Sequence, residues 1–275
     1  MNKLSREKRA QIIGCLVEGN SIRATERMCD VAFNTVLKFV PEIGNACLEY
    51  QDKVFRNLKC KRIQCDEIWS FCYAKEKNVP KEKQGVFGYG DIWTWVALDA
   101  DTKLVPLFFV GKRDAKTAKS FMKDLADRLA NRVQLTTDGH RVYLTAVEDA
   151  FAGDIDYAML VKIYESTQEE TRYSPAECIE TKTMKVSGNP DPKHISTSYV
   201  ERQNLTMRMS MRRFTRLTNG FSKKVENHAY HLALYYMYYN FCRVHKTLRV
   251  TPAMEAKITD HIWTIEEIVN LLDSK

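Results

Sequence analysis

A chain of 275 residues, 44% hydrophobic and 11% aromatic, has the length for about two domains and the composition of a soluble globular protein. No apolar run reaches the roughly 18 residues that cross a bilayer. The apolar stretch 12–17 is also too short for a secretory signal, so membrane roles are set aside and a cytoplasmic location is expected. The net charge of +7 is unevenly spread: residues 202–250 hold ten Lys and Arg against one acid, Glu226, while residues 61–201 hold 20 against 22. A basic block beside a stretch rich in acids suits a nucleic acid partner.

In chain order, Ser5 reads as the cap of a first helix over residues 5–18, with Ile12, Ile13, Leu16 and Val17 on its apolar face. Gly19-Asn20 breaks it. Ser21 caps a second short helix to about Cys29, and a third runs from about Ala32 to Val40, where Pro41 is expected to end it. Three short helices with a tight turn between the last two match a helix-turn-helix, whose third helix would offer Asn34, Thr35 and Lys38 to the major groove. A small three-helix structural domain has the same pattern.

Residues 51–61, with Lys53, Arg56, Lys59 and Lys61, read as a basic linker, and then the pattern turns to strands. β-branched and aromatic residues place strands at 62–73, 90–99 and 103–110, the last two joined by the turn 99–102. An amphipathic helix at 115–131 buries Phe121, Leu125 and Leu129. A strand follows at 132–137, ending at Asp138-Gly139, then a helix near 143–151 and a strand near 156–163. Residues 169–194, with Pro175, Gly188, Pro190 and Pro192, read as a loop with one small hairpin.

The helix expected over 196–216 carries two stripes. Val200, Met207, Met211 and Phe214 are apolar, while Glu201, Asn204, Arg208, Arg212 and Thr215 lie about 100° away. A long aromatic-rich helix at 223–243 and a short one at 265–272 complete the chain. The eight cysteines form no C-x-x-C pair, which favours reduced, mostly buried thiols. His228 and His231 lack a third ligand nearby in sequence and read as packing residues.

Three strands, helix, strand, helix, strand, helix is the order of an RNase H-like (integrase-type) α/β domain, here expected with a mixed five-stranded sheet. The division is then a helix-turn-helix domain over 1–50, a linker over 51–61, a catalytic domain over 62–220 and a C-terminal helical extension over 221–275. In that fold the first and fourth strands end side by side, near the helix that follows the fifth. Asp66 lies within the first strand, Asp138 ends the fourth, and Glu201 is in the first turn of the helix. Each has a plain alternative: Asp66 as a strand-edge residue with Glu67 its rival, Asp138-Gly139 as a turn, and Glu201 as the partner of Ser198 in a capping box. Three crowded carboxylates need cations to neutralise them. Oxygen ligands suit Mg²⁺ or Mn²⁺, and two such ions serve in-line phosphodiester displacement.

Four segments carry a resemblance: Cys-Asp66-Glu-Ile-Trp-Ser-Phe; Thr-Thr-Asp138-Gly-His; Tyr-Val-Glu201-Arg-Gln-Asn with Arg208 seven residues on; and Tyr-Asn240-Phe-Cys-Arg243-Val-His245-Lys-Thr-Leu248 with Thr251-Pro252-Ala253. Over residues 60–255 the chain resembles the DDE-class transposases of bacterial insertion sequences, of the insertion-sequence-one type. The resemblance implies Asp66, Asp138 and Glu201 as catalytic ligands of two Mg²⁺ ions, with Mn²⁺ as a substitute, and Arg208 on a DNA phosphate. It implies a nucleoid-associated enzyme that binds terminal inverted repeats and target DNA as a homodimer or larger assembly, with Arg202, Arg212, Arg213 and Arg216 also holding phosphates. Two rivals stand beside it: an RNase H-like nuclease without strand transfer, and a DNA-binding regulator descended from a transposase. The zinc finger that some members carry at the N-terminus has no ligand set here.

Overall fold

A computed structural model of the chain describes residues 4–164, 178–215 and 218–273. Its centre is a mixed sheet of six strands: β1 (Arg62–Cys72), β2 (Gly90–Asp99), β3 (Leu107–Gly111), β4 (Gln134–Asp138), β5 (Asp156–Tyr164) and β6 (Cys178–Ser187). The spatial order is β3-β2-β1-β4-β5-β6. β1, β2 and β3 pair antiparallel, β1, β4 and β5 run parallel, and β6 returns antiparallel along β5.

Alternation along the strands sorts the two faces. Ile63, Cys65, Trp95 and Ala97 join Phe121 and Leu125 of α4 (Ala115–Arg128) and Tyr143 and Val147 of α5 (Val142–Phe151) in one core. The opposite side chains, Ile68, Val96 and Leu98, pack under α6 (Ser198–Ser210) and α7 (Val225–Phe241). All four residues of the apolar stripe, Val200, Met207, Met211 and Phe214, are buried there.

The N-terminal helices are α1 (Arg6–Val17), α2 (Ile22–Cys29) and α3 (Phe33–Val54), with Ser5 and Ser21 capping the first two as expected. Pro41 does not end α3, which runs on for a further 13 residues to Val54 and takes in the start of the expected linker. An interior proline costs a helix about 3 kcal/mol. Val36, Phe39, Val40, Ile43 and Cys47 are all buried along α3, and at about 1.5–3 kcal/mol per large apolar side chain that burial outweighs the lost bond. α3 lies against α7 so closely that a Cβ on Gly44 would stand 2.5 Å from the Tyr230 carbonyl oxygen. The short α8 (Pro252–Glu255) and α9 (Ile265–Asn270) complete the helices, and α9 packs on α1.

Two other boundaries differ from expectation. β3 starts at Leu107 and not at Lys103, because Asn240 claims the backbone of Val105: the Val105 N–H donates to Asn240 Oδ1 at 3.0 Å, and Asn240 Nδ2 donates to the Val105 carbonyl at 3.0 Å. The expected loop at 169–194 contains a full sixth strand. β6 is exposed along most of its length, so no buried face imprints an alternation on its sequence. Among the described residues no helix is long and apolar enough to cross a membrane.

Candidate active site

β1 carries the first acid, and its alternation separates Asp66 from Glu67. Gln64, Asp66 and Ile68 face α6, whereas Cys65 and Glu67 face the α4–α5 side. Parallel pairing of β1 with β4 sets Cys65 beside Thr137. The next residue on each strand is therefore Asp66 and Asp138. Glu201 comes from α6, and all three acids open onto one cleft of about 580 Å³ with Arg113, His140 and Lys162.

Two polar contacts from β1 fix the register of α6. Gln64 Oε1 accepts from the N–H groups of Tyr199 (2.9 Å) and Val200 (3.1 Å), supplying the cap that α6's own N-cap residue, Thr197, does not provide. One turn further, Asn204 Nδ2 donates to Asp66 Oδ2 at 2.8 Å. Glu201 lies between these anchors, in the fourth helical position, so it is not the capping-box partner of Ser198. Its carboxylate accepts from Thr197 Oγ1 at 2.6 Å and from Lys162 Nζ at 2.5 Å to each oxygen.

Asp138 ends β4, where its Oδ1 accepts the His140 N–H at 3.0 Å. Arg113, two residues beyond β3, lies over the Trp93 ring and donates through Nε to Glu67 Oε2 at 3.0 Å. Its Nη2 stands 3.5 Å from Asp138 Oδ2.

The electrostatics follow from burial and crowding. Burial, then the charge of Asp138, pushes Asp66 up to about 6 against the pull of its Asn204 bond. The same two causes raise Glu67 to about 7. For Lys162 burial works downward, but the hydrogen bond and charge of Glu201 outweigh it and hold the ammonium above its usual range. His140 is lowered by burial and by Arg113.

The donors facing the cleft are carboxylate oxygens, the chemistry of a hard divalent cation. Two of the three face protein cations, while Asp66 accepts from the Asn204 amide. Lys162 holds Glu201 and Arg113 reaches Asp138, and among the described residues no three His, Cys, Asp or Glu side chains close round a single ion.

The residues read as DNA contacts divide differently. Asn34 and Lys38 are exposed one turn apart on α3, with Thr35 half-buried between them. The helix expected over 196–216 is shorter: α6 ends at Ser210, and Met211 leaves it in an extended conformation. Arg208 is half-buried in the last turn of α6, and Arg212 begins a following 3-10 turn. Arg213 is half-buried and already holds protein partners. It donates to His231 Nδ1 at 2.6 Å and to Ser222 Oγ at 3.0 Å, and burial lowers it to about 10. Arg202 is exposed on another side of α6 from Glu201, and Arg216 lies outside the described residues.

Lys162, Arg113, Gln64 and Asn204 are site residues that sequence reading overlooked or left without a role. Lys162 left a trace, as a lone charge inside the apolar strand 157–163.

No family model matches the sequence, and no curated protein matches it significantly. Among solved structures, the chain is similar to the Mos1 strand transfer complex at 14% identity and a TM-score of 0.26, over 57% of this chain and 59% of that one. The piggyBac transposase synaptic complex with hairpin DNA matches at 10% identity and a TM-score of 0.42, over all of this chain and 71% of that one. The Mos1 mariner paired end complex with Mn matches at 13% identity and a TM-score of 0.23, over 55% and 58%. The chain thus spans about three fifths of the Mos1 chains it matches.

Proposed function

We propose that this chain is a DNA transposase with an RNase H-like catalytic centre formed by Asp66, Asp138 and Glu201. The observation that carries this reading is the convergence of those three acids, from β1, β4 and α6, on one cleft. They reach it from residues 66, 138 and 201, so local sequence does not bring them together. Bound by these carboxylates, two Mg²⁺ ions, or Mn²⁺ in their place, supply Lewis acidity for in-line phosphodiester displacement without a covalent protein nucleophile. Asn204 orients Asp66, and Gln64 sets the turn that presents Glu201. Lys162 and Arg113 bring positive charge to the cleft wall, where a phosphodiester would lie.

In this reading α2 and the first turns of α3 form the helix-turn-helix, with Asn34, Thr35 and Lys38 facing the terminal inverted repeats. Arg208 and Arg212 hold backbone phosphates. The enzyme hydrolyses the 3′ ends of its element, and the freed 3′-OH groups attack target DNA at the same centre. Two ends must meet, so a homodimer or larger assembly forms on DNA. The chain acts where the bacterial chromosome lies, in the cytoplasm.

The test is end cleavage in Mg²⁺ with Asp138→Asn. This variant is expected to bind a repeat-end duplex as the wild type does and to lose cleavage by at least a hundredfold. Cleavage at the wild-type rate would overturn the site assignment.

A further inference from the structure

A second cavity, of about 400 Å³, opens on another flank of α6. Tyr199, Arg202, Gln203 and Thr206, spaced as one helical stripe, form one wall. Arg243, His245 and Lys246, from the turn after α7, form the other, and Lys103 from the β2–β3 connection closes the end. Among the described residues no acid lines this cavity, so the charged side chains on its walls are cationic.

Its walls are not only basic. Leu98, Tyr239 and Val244 give it an apolar side. The Tyr199 ring is nearly half exposed, and the Lys103 ammonium lies 3.6 Å from its centroid. Lys103 is held in place: its carbonyl accepts from the Tyr239 hydroxyl at 3.0 Å, and its ammonium donates to the Ala100 carbonyl. Duplex phosphates need only a basic face, and a duplex is too wide to enter a recess of this volume. A cationic recess with aromatic and aliphatic walls instead suits an unpaired nucleotide, phosphate on the bases and nucleobase on the rings.

We infer that this cavity is a binding site for an unpaired nucleotide of a strand that passes over α6. The placement rests on the proposed catalytic reading, because Glu201 of the cleft and Arg202 of the cavity are consecutive residues of α6. It also gives Arg243, His245 and Lys246 a role that metal chemistry leaves unassigned.

The experiment is fluorescence anisotropy with the full chain in EDTA, where no metal-dependent step can contribute. The probes are a labelled 12-nucleotide single strand and a blunt repeat-end duplex. Arg243→Gln with Lys246→Gln should weaken single-strand binding at least tenfold, and Tyr199→Ala several-fold, with duplex affinity unchanged. All three positions are exposed, so the variants are expected to fold, and circular dichroism verifies it. Equal single-strand affinity in variants and wild type, or an equal loss on duplex and single strand, would overturn the inference. Failure of the wild type to bind the repeat-end duplex would instead count against the transposase reading.

Discussion

At the scale of single residues, the chain keeps charged and titratable groups in places where each needs a partner. Glu201 has Lys162, Asp66 has Asn204, and Arg213 has His231 and Ser222. His228 is the extreme case: fully buried, with Nδ1 on Ser222 Oγ at 2.9 Å and Nε2 without a partner. Burial, reinforced by Arg213, lowers its pKa to about 3. A neutral buried histidine stabilises the fold above the unfolded pKa of about 6.5, and that contribution is lost as pH falls toward 3, by about 1.4 kcal/mol per pH unit. Asp66 and Glu67 act in the opposite sense, since raised carboxyl pKa values favour the fold at low pH and cost stability as pH rises through about 6 and 7. The wild-type slope is therefore shallow, and a variant is needed to isolate the histidine. In urea melts between pH 6.5 and 4, the stability difference between wild type and His228→Gln should shrink by about 1.4 kcal/mol per unit; parallel curves would show that His228 is protonated in the fold. The acids of the candidate site were legible in the sequence because Asp66 is a charge inside a β-branched and aromatic strand, Asp138 ends a strand and Glu201 stands in the first turn of a helix. Arg113 was not, because only the folded chain brings its side chain, from the loop after β3, within reach of Asp138.

At the scale of elements, legibility followed burial pattern. β1 and β2 are interior strands buried along most of their length, so their runs of β-branched and aromatic residues and their flanking turn residues mark them clearly. β6 has no buried face to mark it, and β3 loses its first residues to a side chain 135 positions away, Asn240. α3 shows the same rule in a helix, with tertiary burial overriding the local veto of Pro41. A close helix–helix contact also lies at α3, where Gly44 admits the backbone of α7. An alanine there gains about 1 kcal/mol in helix propensity, but its methyl would lie 2.5 Å from Tyr230 atoms that cannot swing aside, and overpacking of this kind costs about 1–3 kcal/mol. Gly44→Ala should lower the melting temperature by several degrees. A variant as stable as the wild type would mean that α3 and α7 part more easily than their packing indicates.

At the scale of the whole molecule, one hydrophobic core runs from α1 and α3 through the sheet to α7 and α9, while the polar chemistry gathers around α6. One flank of that helix meets the three-acid cleft, and another meets the basic cavity. The register of α6 on β1, held by Gln64 and Asn204, therefore aligns both at once. On the proposed reading the cleft takes divalent ions through Asp66, Asp138 and Glu201, displacing Arg113 from Asp138 and Lys162 from Glu201. Anomalous scattering from crystals of the full chain on a repeat-end duplex, grown in Mn²⁺, tests it most directly. A manganese peak bonded to Asp66 and to at least one of Asp138 and Glu201 is expected; a cleft with no peak, or ions held only elsewhere on the protein, would overturn the assignment.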